Sequence, residues 1–274
     1  MKHFPIGIML ECLRLDFYQS LDRAVELGAD GFQLCFFGPD PMPRNEFLQK
    51  RAAIESHHLT VSAVCGELGW FTDPVGNVEK IKRMETIFNF AYDLGVHVVT
   101  GHIGPVPEDK DDPVYRALYD AMITLGRMAR ERNLIFASET GPESTVLMRR
   151  FLDDLDGGIG VNFDPANLVM RGFSKNGADS VEAVAPYIVH THAKDGLSVR
   201  LSDRWPEVPL GKGEVDFPLW MKTLWNCGYR GFLTIERECG DDPATDIAEA
   251  IRYLRETDQT LDVPQWASRD KRCS

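Results

Sequence analysis

The sequence has no paired-cysteine motif, no long apolar run, no linker and no excess of positive charge. Each absence excludes something. Its six cysteines (Cys12, Cys35, Cys65, Cys227, Cys239, Cys273) occur singly, never as Cys-x-x-Cys. Buried free thiols in a reducing cytoplasm are expected, with Cys273 solvated in the C-terminal tail. No apolar stretch approaches the roughly 18 residues of a membrane span. The N-terminus runs from Met-Lys-His-Phe-Pro-Ile straight into a strand, without the apolar region of a signal peptide. The net charge of −12 lacks the basic footprint a nucleic-acid partner needs. It is compatible with a small neutral substrate. The first strand lacks the Gly-rich fingerprint of a dinucleotide-binding sheet.

What is present is an ordinary globular composition, 43% hydrophobic and 26% charged, over 274 residues. Short β-rich runs fall at 4–10, 31–37, 60–66, 97–102, 135–139, 159–164, 188–192 and 232–236. Amphipathic segments alternate with them near 17–28, 44–57, 77–94, 112–132, 144–155, 178–186, 217–227 and 244–257. Leu27-Gly28, Leu94-Gly95 and Cys227-Gly228 read as helix stops. Eight strands each followed by a helix predict an α/β fold, a single (β/α)₈ TIM barrel over 1–257. A doubly wound open sheet is the alternative. The tail, 258–274, has no periodicity. It is expected to pack on the barrel or a neighbouring subunit, which leaves room for a homo-oligomer.

Four strand-like runs in the second half close on an acid or an imidazole. Glu139 ends Ile135-Phe-Ala-Ser-Glu, and Asp164 ends Ile159-Gly-Val-Asn-Phe-Asp. His192 ends Ile188-Val-His-Thr-His, and Glu236 ends Phe232-Leu-Thr-Ile-Glu. Barrel enzymes keep their chemistry at the C-terminal ends of the strands. Three carboxylates and an imidazole suit Mn²⁺, Mg²⁺, Co²⁺ or Zn²⁺. One divalent metal ion per chain is therefore expected on Glu139, Asp164, His192 and Glu236. Blander readings exist for single residues: Asp164-Pro-Ala-Asn167 is also a good helix cap and start. His190 alternates with His192 and reads as a core residue or a support behind the ligand. Glu238 shares a face with Glu236, which lies nearer the apolar run. His102, in Thr100-Gly-His-Ile-Gly104, is a candidate substrate contact. His3, His57, His58 and His97 sit at strand starts or helix ends and read as structural or solvated. Lys212, between two glycines, is either a loop residue or a contact for an anionic group.

Ser138-Glu139-Thr, Asn162-Phe-Asp-Pro-Ala-Asn167, His190-x-His-x-Lys-Asp195, Gly211-Lys-Gly-Glu-Val-Asp216 and Ile235-Glu236 together resemble the xylose-isomerase-like superfamily. That group includes ketose 3-epimerases, hydroxypyruvate isomerase, inosose dehydratase and endonuclease IV. The resemblance spans roughly residues 4–255. It implies a metal-dependent isomerase or epimerase of a keto sugar or related polyol, acting through a metal-bound enediolate. A lyase acting on a keto-cyclitol or 3-oxo-glycoside is the alternative. It also implies that Glu139 and Glu236 are both metal ligands and the acid/base pair, with Asp164 and His192 as ligands alone. Substrate contacts then fall to His102, Lys194, Glu67 and Glu143. Asn167 stands where related epimerases carry a histidine, and Arg200 is the nearest arginine after His192; both join that set. Endonuclease IV departs further. Trp205 and Asn167 stand where it has histidines, so a trinuclear zinc cluster lacks its ligands. Gln33 replaces an acid often found at the end of strand 2.

Overall fold

In the computed structural model, residues 3–36, 42–198 and 206–263 are described. The chain opens with β1 (Ile6–Met9), a 3₁₀ turn (Leu10–Leu13), α1 (Phe17–Glu26), β2 (Gly31–Cys35) and α2 (Arg44–Ser56). There follow β3 (Thr60–Cys65), α3 (Pro74–Leu94), β4 (Val98–Gly101), α4 (Pro113–Arg130), β5 (Ile135–Glu139) and α5 (Thr145–Asp153). Next come β6 (Ile159–Phe163), α6 (Pro165–Met170), α7 (Val181–Val184) and β7 (Ile188–Ala193). A ribbon of β8 (Asp195–Gly196) and β9 (Glu207–Val208) leads to α8 (Phe217–Asn226), β10 (Leu233–Ile235) and α9 (Pro243–Thr260). Eight parallel strands close in the order β1-β10-β7-β6-β5-β4-β3-β2, a TIM barrel, while β8 and β9 pair antiparallel outside it.

Helix starts are written into the sequence by aspartates. Asp73, Asp112, Asp164 and Asp242 each accept backbone N–H bonds from the first turn, and each precedes a proline at the head of its helix. Proline's fixed φ suits that position, where its missing N–H goes unused. At the other end of α3, Gly95 takes φ 78°, a left-handed cap that L side chains adopt poorly. The core lies between barrel and helices, where Phe32, Phe88, Phe136, Phe163, Phe217 and Trp220 are fully buried. Each such side chain stabilises the fold by roughly 1.5–3 kcal/mol.

Several details differ from the expectations. α6 is a short helix directly after Asp164, too brief to show a period. The helix expected over 178–186 is α7 flanked by two 3₁₀ turns, with Pro186 in the second; proline cannot donate into a continuing helix. α9 runs past residue 257, and Asp258 is buried, accepting the His3 backbone N–H at 2.8 Å. Most of the tail lies outside the described residues. Cys12, Cys35, Cys65, Cys227 and Cys239 are all free thiols. Among the described residues no helix is long and apolar enough to cross a membrane.

Candidate metal centre and its cavity

The four strand-end residues converge. Glu139, Asp164, His192 and Glu236 are all buried and each offers one ligand atom, with those atoms within 4.8 Å of one another. Strand pairing produces this. Glu139 stands beside Asn162 across β5 and β6, and His192 stands beside Thr234 across β7 and β10.

Asp164 resolves its two readings by dividing its oxygens. Oδ1 caps α6, accepting from the Ala166 N–H at 2.8 Å and the Asn167 N–H at 3.0 Å. Oδ2 is buried with no hydrogen-bond partner among the described residues. A buried carboxylate oxygen left bare costs free energy unless something pairs with it. A divalent cation is the partner that the other three donors also fit, being a set of oxygens and one imidazole nitrogen.

The imidazole is aimed by a residue from the far side of the barrel. His192 Nε2 lies 3.0 Å from Gln33 Oε1, whereas Nδ1 lies 3.2 Å from Glu236 Oε2 and 3.4 Å from Glu139 Oε1. With Nε2–H donated to Gln33, Nδ1 is the atom that faces the cluster. Glu139 is fixed by two amides: Asn167 Nδ2 donates to Oε1 at 2.9 Å and Asn162 Nδ2 to Oε2 at 3.2 Å. Behind the ligands, His190 Nδ1 meets Asn162 Oδ1 at 2.9 Å, and its Nε2 meets Thr234 Oγ1 at 3.0 Å.

Charge is crowded here. Burial disfavours the His192 imidazolium, but Glu236 and Glu139 outweigh it and hold its pKa well above the ordinary value. Burial likewise opposes ionisation of Glu236, yet the Lys194 ammonium and His192 keep that carboxyl well below the usual range. Burial pushes Asp164 up to about 7, and Glu139 and Glu236 add to the rise against the opposing charges of Lys194 and His192. Lys194 Nζ donates to Glu236 Oε2 at 3.0 Å and also pairs with Glu238. Lys194 is thus committed to carboxylates, two of them on the same wall.

The cluster opens into a cavity of about 240 Å³, lined by His102, Glu139, Asn167, Arg171, Lys194, Glu236 and Glu238 among others. His102 Nδ1 is 2.9 Å from Glu67 Oε2, and Nε2 is 3.9 Å from Glu139 Oε1. Burial pulls the His102 pKa down, but Glu139 and Glu67 outweigh it and raise it to about 9. Glu67 itself does not line the cavity; it anchors His102 and accepts the Gly69 N–H at 2.8 Å. Glu143 is set back too. It is buried and accepts the Val106 N–H at 3.2 Å. Arg200 lies outside the described residues. Lys212 is exposed on a loop whose Gly211 and Gly213 N–H groups both donate to Asp195 Oδ2, so that motif is an Asp-held turn.

Residue patterns did not single out Arg171, which closes α6, or the orienting contact of Gln33. Arg171 reads locally as a cation at a helix C-terminus.

The xylose isomerase-like TIM barrel family matches residues 21–257, and the chain belongs to it. No curated protein matches the chain in sequence. Among solved structures, a xylose isomerase domain protein from Planctomyces limnophilus is 28% identical. It has a TM-score of 0.84, with 94% of this chain and 99% of that one covered. The 3-keto-D-glucoside 4-epimerase YcjR from E. coli superposes at 0.75 with 18% identity, covering 92% of this chain and 99% of that one. The probable 3-DHS dehydratase AsbF from Bacillus anthracis also reaches 0.75, at 15% identity, covering 93% and 99%. At these last two identities the likeness is one of fold.

Proposed function

We propose that the chain is a divalent-metal-dependent isomerase or epimerase of a keto sugar or related polyol. The observation that carries this is the bare Oδ2 of Asp164 within a buried set of four ligands. It lies at the strand ends where barrel enzymes work. A divalent ion held by Glu139, Asp164, His192 and Glu236 would supply Lewis acidity toward the substrate carbonyl.

The chain's own groups do the rest. Glu139 and Glu236 reach the cavity from β5 and from the end of β10, with β6 and β7 between them. A carbon held between them meets a carboxylate from two directions, one to take its proton and one to return it. Such acid/base work contributes about 10²–10⁴-fold. Lys194 keeps Glu236 ionised, the state that accepts a proton. Asn162 and Asn167 fix the angle of Glu139. From the same wall His102 offers a donor to substrate hydroxyls, and Asn167, whose amide hydrogens go to Glu139 and the Thr140 carbonyl, offers its Oδ1 as an acceptor.

A lyase on a keto-cyclitol or 3-oxo-glycoside shares the first proton removal. One feature favours it: the His102 imidazole, with Nδ1 held by Glu67, faces the cavity beside Glu139, in position to protonate a leaving hydroxyl. Product analysis separates the two, since isomers conserve mass and a dehydratase loses water. The common step is tested with keto sugars deuterated next to the carbonyl. A primary isotope effect on turnover is expected. Turnover that leaves the deuterium in place, with no isotope effect, removes both mechanisms.

A further inference from the structure

The charged groups on the cavity wall are His102, Glu139, Arg171, Lys194, Glu236 and Glu238. Five of them are already engaged. His102 pairs with Glu67, Lys194 with Glu236 and Glu238, and Glu139 accepts from two asparagines. Arg171 is the exception: its guanidinium makes no ion pair or hydrogen bond with any described residue, and it is solvent-exposed. Glu143 is near enough to feel its charge, but Oε2 accepts the Val106 N–H and Oε1 is buried with no hydrogen-bond partner among the described residues, so neither oxygen bonds the guanidinium.

Its place in the fold fixes what it can meet. Arg171 is the C-terminal cap of α6, the helix whose N-cap is the ligand Asp164. Seven residues of helical rise put it on the order of 10 Å further along the cavity from the metal cluster. A pentose- or hexose-sized chain with its carbonyl at the cluster ends in that region. A guanidinium is a planar fork that matches carboxylate and phosphate oxygens two at a time. Neutral hydroxyls elsewhere on the wall have the committed polar groups to meet. An overall charge of −12 makes an uncommitted cation, the one such group among the described residues of this acidic cavity, a local feature unexplained by a generally basic surface.

We infer that Arg171 selects substrates carrying an oxyanion, a carboxylate or a phosphate, at the end remote from the reacting carbonyl. This rests on the isomerase reading for the direction in which the substrate lies, and it narrows that reading from keto sugars to acidic keto sugars.

The test is calorimetric binding to the full chain loaded with Mn²⁺, using D-fructose, D-fructose 6-phosphate and D-fructuronate. At least one of the two anionic sugars should bind about tenfold or more tightly than D-fructose. The arm that does so names the oxyanion. In Arg171→Gln the ratio of anionic to neutral affinity should fall about tenfold, and Arg171→Lys should keep part of it, because a point charge remains without the fork. A merely structural arginine would weaken all three sugars together and leave the ratio alone. A ratio near one in the unaltered protein overturns the inference. So does a ratio that Arg171→Gln leaves unchanged, or no binding of either anion at millimolar concentration. Loss of label from deuterated sugars reports separately on the isomerase reading. Exchange with no anion preference discards Arg171 as selector and keeps that reading; anion preference with no exchange on any sugar does the reverse.

Discussion

Strands β5, β6, β7 and β10 end in or next to Glu139, Asp164, His192 and Glu236, whereas β1, β2, β3 and β4 end in Met9, Cys35, Cys65 and Gly101. One arc of the rim therefore holds all four side chains of the proposed metal site. The other arc enters the site through Gln33, which aims His192, and through His102, carried just past β4. A closed barrel permits this asymmetry, because side chains from any strand point to one axis. Ligands can be clustered on four strands while the remaining strands set angles and shape the wall. The two arcs should fail differently when altered: the first by losing the chemistry, the second by loosening it.

The largest effect is expected in the ligand arc. Glu139→Gln and Glu236→Gln keep size and a carbonyl oxygen but cannot carry a proton. Each should lower turnover by about 10²–10⁴-fold or more. Metal content and thermal melting are measured alongside, so that a lost ion or a broken fold is recognised. Near-normal turnover with the metal bound would remove the acid/base assignment from that residue.

How far residues alone reveal this site follows the same division. The ligand arc was legible because four strands repeat one placement, an acid or imidazole closing an apolar run, and the structure brings those four together. The barrel strands were legible for the same reason of repetition. Gln33 was visible only as an amide where relatives often have an acid, since its partner His192 is 159 positions away. Lys194 looked like a free hydroxyl donor, and its pairing with Glu236 and Glu238 needs the closed sheet. Arg171 sits on a six-residue helix that has too few turns to display a face. The two-residue strands β8 and β9 carry no alternation to read.

A middle-sized effect is expected at the seam between the arcs. Glu143, after β5, accepts the Val106 N–H from the loop after β4, with its other oxygen buried and unpartnered among the described residues. Burial raises its pKa from 4.5 to about 7. Because the folded value exceeds the unfolded one, the protonated acid favours folding. That contribution is complete below about pH 4.5 and is lost as pH rises through about 7, for a total of about 3 kcal/mol. Glu143→Gln keeps an acceptor for Val106 and cannot ionise. Denaturant unfolding in EDTA should therefore find the variant similar to the unaltered chain in mild acid and more stable by about 2–3 kcal/mol near pH 8. A difference that does not change with pH would mean that the carboxyl is solvated in the folded protein.

The smallest effect, and the one that separates the arcs most sharply, belongs to Gln33. It is fully buried on β2, opposite Met9 and Ala63 in the strand register, and among the described residues its hydrogen bond to the proposed ligand set is to His192. Partners of this kind set which imidazole nitrogen faces the metal, and their loss typically costs 10–100-fold in metal affinity. Gln33→Leu preserves volume and removes the acceptor, so His192 is free to rotate or to change tautomer. Mn²⁺ affinity, read by competition with a chelating dye, should fall by about 10–100-fold, equivalent to about 1.4–2.7 kcal/mol. The four ligands remain, so saturating Mn²⁺ should restore occupancy, which it cannot do for the proton lost in Glu236→Gln. Gln33→Glu supplies a carboxylate acceptor to the same Nε2–H and should hold affinity at or above that of the unaltered chain. If Gln33→Glu loses as much as Gln33→Leu, the amide matters as a neutral filler and not as the group that aims the imidazole. The arc that carries Gln33 would then contribute shape alone.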